Sequence, residues 1–315
     1  MKNFWIRLVK LGLICLGILL LFLILRATDW SALEVYFKQI IQWGWLVFLI
    51  YPLTCIWDIW GWKMLLPPTD RARVTSWQLF WIRLSGEAIN NVTPFIDIGG
   101  EYLKIIRCAE AARISKAKAA ASIILTRSVL FYSEVLFWLF GITLCIFVLH
   151  FNQTFYQPLV YTALIGIVLV ALLIWSQQNG FLTKVAEYFE KINSNLSILK
   201  KAQVSLQETD REMRELYTKR LGDFWLSLIL HFIGWIFGGL EIYLMLLTLG
   251  HPIPILYAII LEALLQLVKT STFFIPGNIG TQEGYFTLSM QLLHLNPTLG
   301  LALSLYKRLR YALWT

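Results

Sequence analysis

The sequence reads as an all-α polytopic membrane protein, a single integral membrane domain over residues 1–315. It has about six full transmembrane helices plus two re-entrant broken-helix hairpins in an inverted-topology repeat. Three observations predict this. Of the 315 residues, 58% are hydrophobic and only 15% are charged, against about 45–50% and about 25% in soluble domains; the mean hydropathy is +0.65. The apolar residues gather in runs close to the roughly 20 residues a spanning helix needs. Two runs break near a proline and are followed by segments too polar or too short to cross.

The same composition excludes other classes. A soluble protein this apolar would lack polar surface, and disorder or a secreted disulfide scaffold fits no better. The net charge of +8 is spread in a membrane pattern, so no nucleic-acid partner is expected. Cys15, Cys55 and Cys145 lie inside apolar runs and Cys108 in a basic segment, with no zinc or disulfide spacing. The four histidines are scattered, three of them next to loops, and neither HExxH nor GxxxxGK[ST] occurs. No metal and no cofactor is called for, and no nucleotide is hydrolysed through a P-loop.

Taken in order, spans are expected at 8–25, 41–66, 119–149, 159–175 and 224–249, with a shorter one from 299 to the terminus. Lys2, Arg7 and Lys10 before the first run look like a signal peptide, but no small-residue cleavage site follows, so the run is read as an uncleaved span. The stretch 76–93 is long enough to cross but carries Arg83, Glu87, Asn90 and Asn91 and stops at Pro94. The following 101–112 has Tyr102, Ile105, Ile106, Ala109 and Ala112 at helical spacing among charges, a half-buried helix. Likewise 255–274 breaks at Pro276-Gly277, and 283–295 reaches only about 20 Å as a helix, short of a bilayer core of about 30 Å.

The two broken regions match. Each places a glutamate, Glu101 or Glu283, seven residues after a proline, and a charged residue, Glu87 or Lys269, seven before it. Ile114 to Arg127 and Leu295 to Arg308 are equal steps along Ala/Leu/Ser-rich helices. Repeat one is placed at about 76–149 and repeat two at about 255–315. With each broken region leaving on the side it entered and both termini cytoplasmic, 22 of the 27 Lys+Arg fall on the cytoplasmic side. That count includes Lys307, Arg308 and Arg310. The hairpins then enter from opposite faces, and breaks at membrane depth require protein or a wet cavity around them. The one polar stretch, 177–221, suggests a cytoplasmic connector of amphipathic helices, a solvated link that could also dock a lipid-biosynthesis partner.

Half-helix N-termini present free N–H groups and partial positive charge. Gly99-Gly100 and Gly280 sit just before the two returning half-helices, so two such ends aimed inward would bind an anion such as a lipid phosphate. Arg127, Lys269 and Arg308 would add charge. Glu101 and Glu283 either cap the helices or serve the site, by binding a cationic headgroup, carrying a proton or pairing with Arg127 or Lys269. Glu87, Asn90 and Asn91 share one turn and read as cavity-lining. Asp58, Glu134, Glu241 and Glu262 read as structural partners between helices.

The pattern Gly86-Glu87-x-x-Asn90-x-x-x-Pro94-x-x-x-x-Gly99-Gly100-Glu101-x-x-Lys104 resembles the first signature of the flippase-like membrane domain of lysylphosphatidylglycerol synthases. Phe274-Ile-Pro276-Gly277-x-x-Gly280-x-x-Glu283 resembles the second. The forms around Gly100-Glu101 and Gly280-Thr-Gln282-Glu283-Gly284 are most similar to the hopanoid-biosynthesis-associated branch. Many relatives carry Glu-Arg-x-x-Asp where this chain has Thr126-Arg127-Ser-Val-Leu130, keeping only the arginine. Relatives that synthesise aminoacyl lipids have a soluble catalytic domain after the membrane part; none is seen here, so synthase activity is not implied. The resemblance implies a lipid transporter or flippase in the bacterial inner membrane rather than an enzyme. Its partner would be an anionic phospholipid, a hopanoid or a polyprenyl-phosphate lipid, with the headgroup held between the hairpin tips. The alternative is a membrane-embedded enzyme or accessory subunit of hopanoid or polyprenyl-lipid biosynthesis, which the absence of DxxD and DxD patterns disfavours.

Overall fold

In a computed structural model, residues 12, 17, 19–92, 98–149, 153–192, 197–273 and 275–314 are described, and every regular element among them is helical. Three helices are long and apolar enough to cross a membrane: Lys116–Val148, Gln157–Gln178 and Leu221–Thr248. Half of the expected span at 8–25 lies outside the described residues; within it, 19–25 are helical.

The expected span at 41–66 is divided. A helix runs Trp30–Trp43, started by Asp29, whose carboxylate accepts from the N–H groups of Ser31 and Ala32 at 3.0 and 3.2 Å. Its apolar stripe of Leu33, Tyr36 and Ile40 is buried, so most of the segment between the expected spans at 8–25 and 41–66 is an amphipathic helix. It ends at Gly44, whose carbonyl accepts from the Tyr306 hydroxyl at 2.7 Å and which leaves no room there for a side chain. A single turn, Trp45–Phe48, leads to Ile50–Leu65, only about 24 Å long at 1.5 Å per residue.

The chain forms two units. One comprises Thr54–Phe137 and Gln157–Gly234. Its core of Leu65, Leu125, Val129, Met213, Leu216 and Phe224 joins four helices. Here the 177–221 stretch forms two helices, Phe181–Ile192 and Ser197–Lys219. They are tied down rather than loosely solvated. Buried Asp210 accepts from Leu182 N, Thr183 N and Thr183 Oγ1 at 3.2, 2.8 and 2.6 Å, capping the first of the two. Tyr217 donates to Gln177 at 2.5 Å, and Gln177 donates to Ser128 at 2.6 Å, which docks the second on Lys116–Leu149. By contrast, the side chains of Val160, Leu164, Ile167, Val168 and Leu172 on Gln153–Gln178 stand exposed, a surface suited to hydrocarbon.

The other unit comprises Met1–Leu53, Trp138–Tyr156 and Trp235–Trp314. It is centred on Ile242, Met245, Leu265, Phe286, Met290, Leu303 and Tyr306.

Each unit holds a pair of antiparallel helices followed by a further helix. In the first, Ser76–Val92 folds back onto Ile98–Ala112, and Lys116–Leu149 follows. In the second, Ile255–Ser271, a tight turn Pro276–Asn278 and Thr281–Leu292 precede Pro297–Trp314. The same devices recur between the returning helix and the next one. Arg113 and His294 both take positive φ (54° and 56°). Ile114 N donates to Ala109 O at 3.1 Å and Leu295 N to Met290 O at 2.8 Å, the 6→1 bond that closes a helix end. Ser115 and Asn296 then cap the next helix through Lys118 N and Thr298 N.

Gly99 and Gly100 do not precede their helix as expected but lie in its first turn. Gly100 is required by packing, since a Cβ there would run into the Gly86 carbonyl and the Asn90 side chain. Gly280 does precede its helix, at φ +83°.

Candidate functional site

In the first unit, Arg83 and Glu87 stand four residues apart on Ser76–Val92, hence on one face, and pair at 3.1 Å. Arg83 also reaches Asp58 on Ile50–Leu65 at 2.8 Å and Cys55 Sγ at 2.7 Å. Asp58 in turn meets Nδ1 of His231 at 3.1 Å. The His231 side chain is fully buried, and its Nε2 has no hydrogen-bond partner. Gly61 admits the ring, because a Cβ there would sit 2.7 Å from Nε2.

Beside this network lies Glu101. Its Oε1 accepts from Lys104 at 3.0 Å, from Arg127 Nε at 3.1 Å and more closely from Arg127 Nη2, and from Asn90 Nδ2 at 3.4 Å. Its Oε2 is buried without a partner. The first-turn N–H of Gly100 is satisfied by Asn90 Oδ1 at 2.8 Å rather than by Glu101. Asp58, Arg83, Glu87, Glu101, Lys104, Arg127 and His231 line one cavity of about 50 Å³, completed by Trp62, Ile123, Thr126 and Leu130. That volume admits a few waters. Arg127, with 45% of its side chain exposed, forms the outward edge, while Lys104 is buried. Three cations face three carboxylates. Buried ion pairs seldom raise stability over apolar packing, so such a group in an apolar protein marks a site where charge is used.

The second unit holds a corresponding pair in a different state. Glu283 Oε1 accepts from Arg308 Nε at 2.6 Å and from Ser304 Oγ at 2.8 Å. Its Oε2 accepts from Arg308 Nη2 at 3.2 Å and from the N–H of Gly280 at 2.8 Å. Arg308 also donates to the carbonyls of Gly277 and Asn278, and Gln282 donates to Ser304 at 2.9 Å. Every acceptor of this buried carboxylate is used. Glu283 therefore both caps its helix and pairs with Arg308.

Lys269 stands apart from this cluster, its ammonium 5.8 Å from the centre of the Tyr311 ring. Pro94 lies outside the described residues, as do the side chains of Asn91 and Pro276.

Lys307 and Arg310, counted above among the charges of a cytoplasmic end, are buried. Lys307 pairs with Glu262 at 2.8 Å and Glu241 at 3.5 Å, and Arg310 with Glu241 at 2.8 Å. Arg308 is likewise committed to Glu283. The reason is helical geometry: 307 and 310 share a face that meets acids from two other helices. A count of cations near the terminus does not see those acids. Asp58 and His231 also emerge as site residues. The available signal was that His231 alone among the histidines sits deep within an apolar run.

Helices throughout the described residues, three of them long and apolar enough to cross a membrane, and a charged cavity among them define a polytopic membrane protein. The chain belongs to the family described as the lysylphosphatidylglycerol synthase TM region, which matches residues 7–314. It is also similar to a UPF0104 membrane protein of Methanocaldococcus jannaschii, 27% identical over 241 residues, covering 73% of this chain and 69% of that relative. No solved structure matches it.

Proposed function

We propose that the protein is a lipid transporter of the flippase type, taking a phospholipid- or hopanoid-type headgroup at the cavity edge formed by Arg127 and Lys104. The observation that carries this is Arg127. It is half exposed, it is held by Glu101, and it opens onto a polar void that also contains Arg83, Glu87 and Asp58. An arriving phosphate can take the guanidinium from Glu101 in a bidentate contact, while the lipid tails stay in hydrocarbon. Glu101 keeps Lys104 as its partner, so the exchange leaves no buried charge alone. In this reading the two helix pairs are re-entrant and inverted, access alternates between the leaflets, and both termini face the cytoplasm of a bacterial inner membrane.

Reconstitution into liposomes carrying fluorescent phosphatidylglycerol in the inner leaflet tests the proposal. The wild type should expose the label to an external quencher, and Arg127→Gln should slow exposure by at least tenfold while remaining folded. Folded wild-type protein that moves no phospholipid or hopanoid refutes it. Chemical conversion of an added lipid, abolished by Glu101→Gln, would replace it with an enzyme.

A further inference from the structure

We propose that His231 is a proton-binding site, and that its proton is taken up together with a lipid phosphate bound at Arg127 and Lys104; this rests on the transport reading and specifies what is coupled to the lipid. Asp58 is salt-bridged to Arg83 at 2.8 Å, which keeps its carboxylate ionised. An ionised carboxylate only accepts, so the 3.1 Å contact assigns the hydrogen to His231 Nδ1. In neutral His231 the lone pair is therefore on Nε2, the buried ring nitrogen that has no partner. Protonation forms an N–H bond at Nε2, which lies buried against Gly61, with a proton taken from hydronium, which becomes water; no other bond changes.

The charges around the void say when this proton is welcome. Asp58, Arg83 and Glu87 sum to −1, and Glu101, Lys104 and Arg127 sum to +1; these six and His231 line the same cavity. With neutral His231 the group is balanced. A proton alone leaves a surplus positive charge in a region of low dielectric. A phosphate monoanion at the Arg127 edge alone leaves a surplus negative charge. Together they restore balance, so each raises the affinity for the other. Size separates their places. About 50 Å³ holds a few waters but no glycerophosphate, which leaves the inner void to the proton and the edge to the lipid.

The test is proton uptake by the purified full-length protein in weakly buffered detergent, read with an indicator dye as dioctanoyl phosphatidylglycerol is added. Inorganic phosphate and the zwitterionic dioctanoyl phosphatidylcholine are added in parallel. The wild type should take up close to one proton per phosphatidylglycerol bound, and its affinity should tighten by up to tenfold per unit fall in pH over the range in which that uptake is observed. His231→Gln should bind the lipid with no uptake and no such pH dependence. Arg127→Gln should lose binding and uptake together.

Phosphatidylglycerol binding with no uptake in the wild type overturns the proposal and leaves the transport reading standing. So does uptake that persists in His231→Gln, or equal uptake with phosphatidylcholine. Uptake with inorganic phosphate but not with phosphatidylglycerol assigns the site to a free anion and overturns the proposal. Failure of the folded protein to bind or move any lipid overturns both. If His231→Gln does not fold, the wild-type stoichiometry decides alone.

Discussion

Replacing Arg308 by methionine should destabilise the protein far more than the same change at Arg127, although the two arginines hold corresponding glutamates. Glu283 is 2% exposed and takes two hydrogen bonds from Arg308. Removing one partner of a buried pair costs about 3–5 kcal/mol. Ser304 and the Gly280 N–H still hold Glu283, which favours the lower end. Losing the bonds to the Gly277 and Asn278 carbonyls adds about 0.5–1.5 kcal/mol each where those groups are not rehydrated. A cost of about 3 kcal/mol follows if both carbonyls are rehydrated and about 4–6 kcal/mol if neither is. At Arg127 the side chain is 45% exposed and Lys104 remains to pair with Glu101, so about 0–1 kcal/mol is expected. Unfolding in mixed micelles, followed by the fluorescence of the fourteen tryptophans, measures both. The double variant Arg308→Met with Glu283→Gln should recover part of the loss, because no buried charge is left unpaired. Equal costs for Arg308→Met and Arg127→Met would refute the reasoning.

Gly100→Ala should open the first helix pair, because its Cβ has no space between Gly86 and Asn90. A loss of about 1–3 kcal/mol is expected, with faster proteolysis between the two helices. Lys307→Met removes the cation that holds Glu262, which is 4% exposed, while Arg310 still pairs with Glu241, and should cost about 3–5 kcal/mol. Lys38→Ala, which breaks an exposed pair with Glu34, should cost under about 1 kcal/mol in the same assay. Asp210→Ala removes three bonds at the start of Phe181–Ile192 and should cost about 1–2 kcal/mol, seen as faster hydrogen exchange at Leu182 and Thr183.

Much of the helical plan was legible because its cause is local. Apolar run length marked 119–149, 159–175 and 224–249; the first two lie within an observed helix and the third overruns its helix by one residue. Helix ends were harder. Gly44 divides the 41–66 run because of Tyr306, more than 260 residues later, and no local pattern reports such a partner. The pairing of Glu101 with Arg127 was among the readings the sequence allowed, since helix polarity favours a carboxylate near a first turn and a nearby cation can neutralise it. For Glu283, however, the partner is Arg308 rather than Lys269. Which cation faces which acid depends on how helices are rotated against one another. Asp58, Arg83 and His231 illustrate the same limit: they lie on three helices far apart in the chain, and only packing makes them neighbours.

The division of labour between Asn90 and Glu101 has a mechanical consequence. Because the amide of Asn90 holds the Gly100 nitrogen, the neighbouring carboxylate can swing without fraying the backbone, whereas Glu283 would unfasten Gly280 if it turned. One acid behaves as a lever and the other as a rivet, so movement of charge is cheap at Glu101 and costly at Glu283.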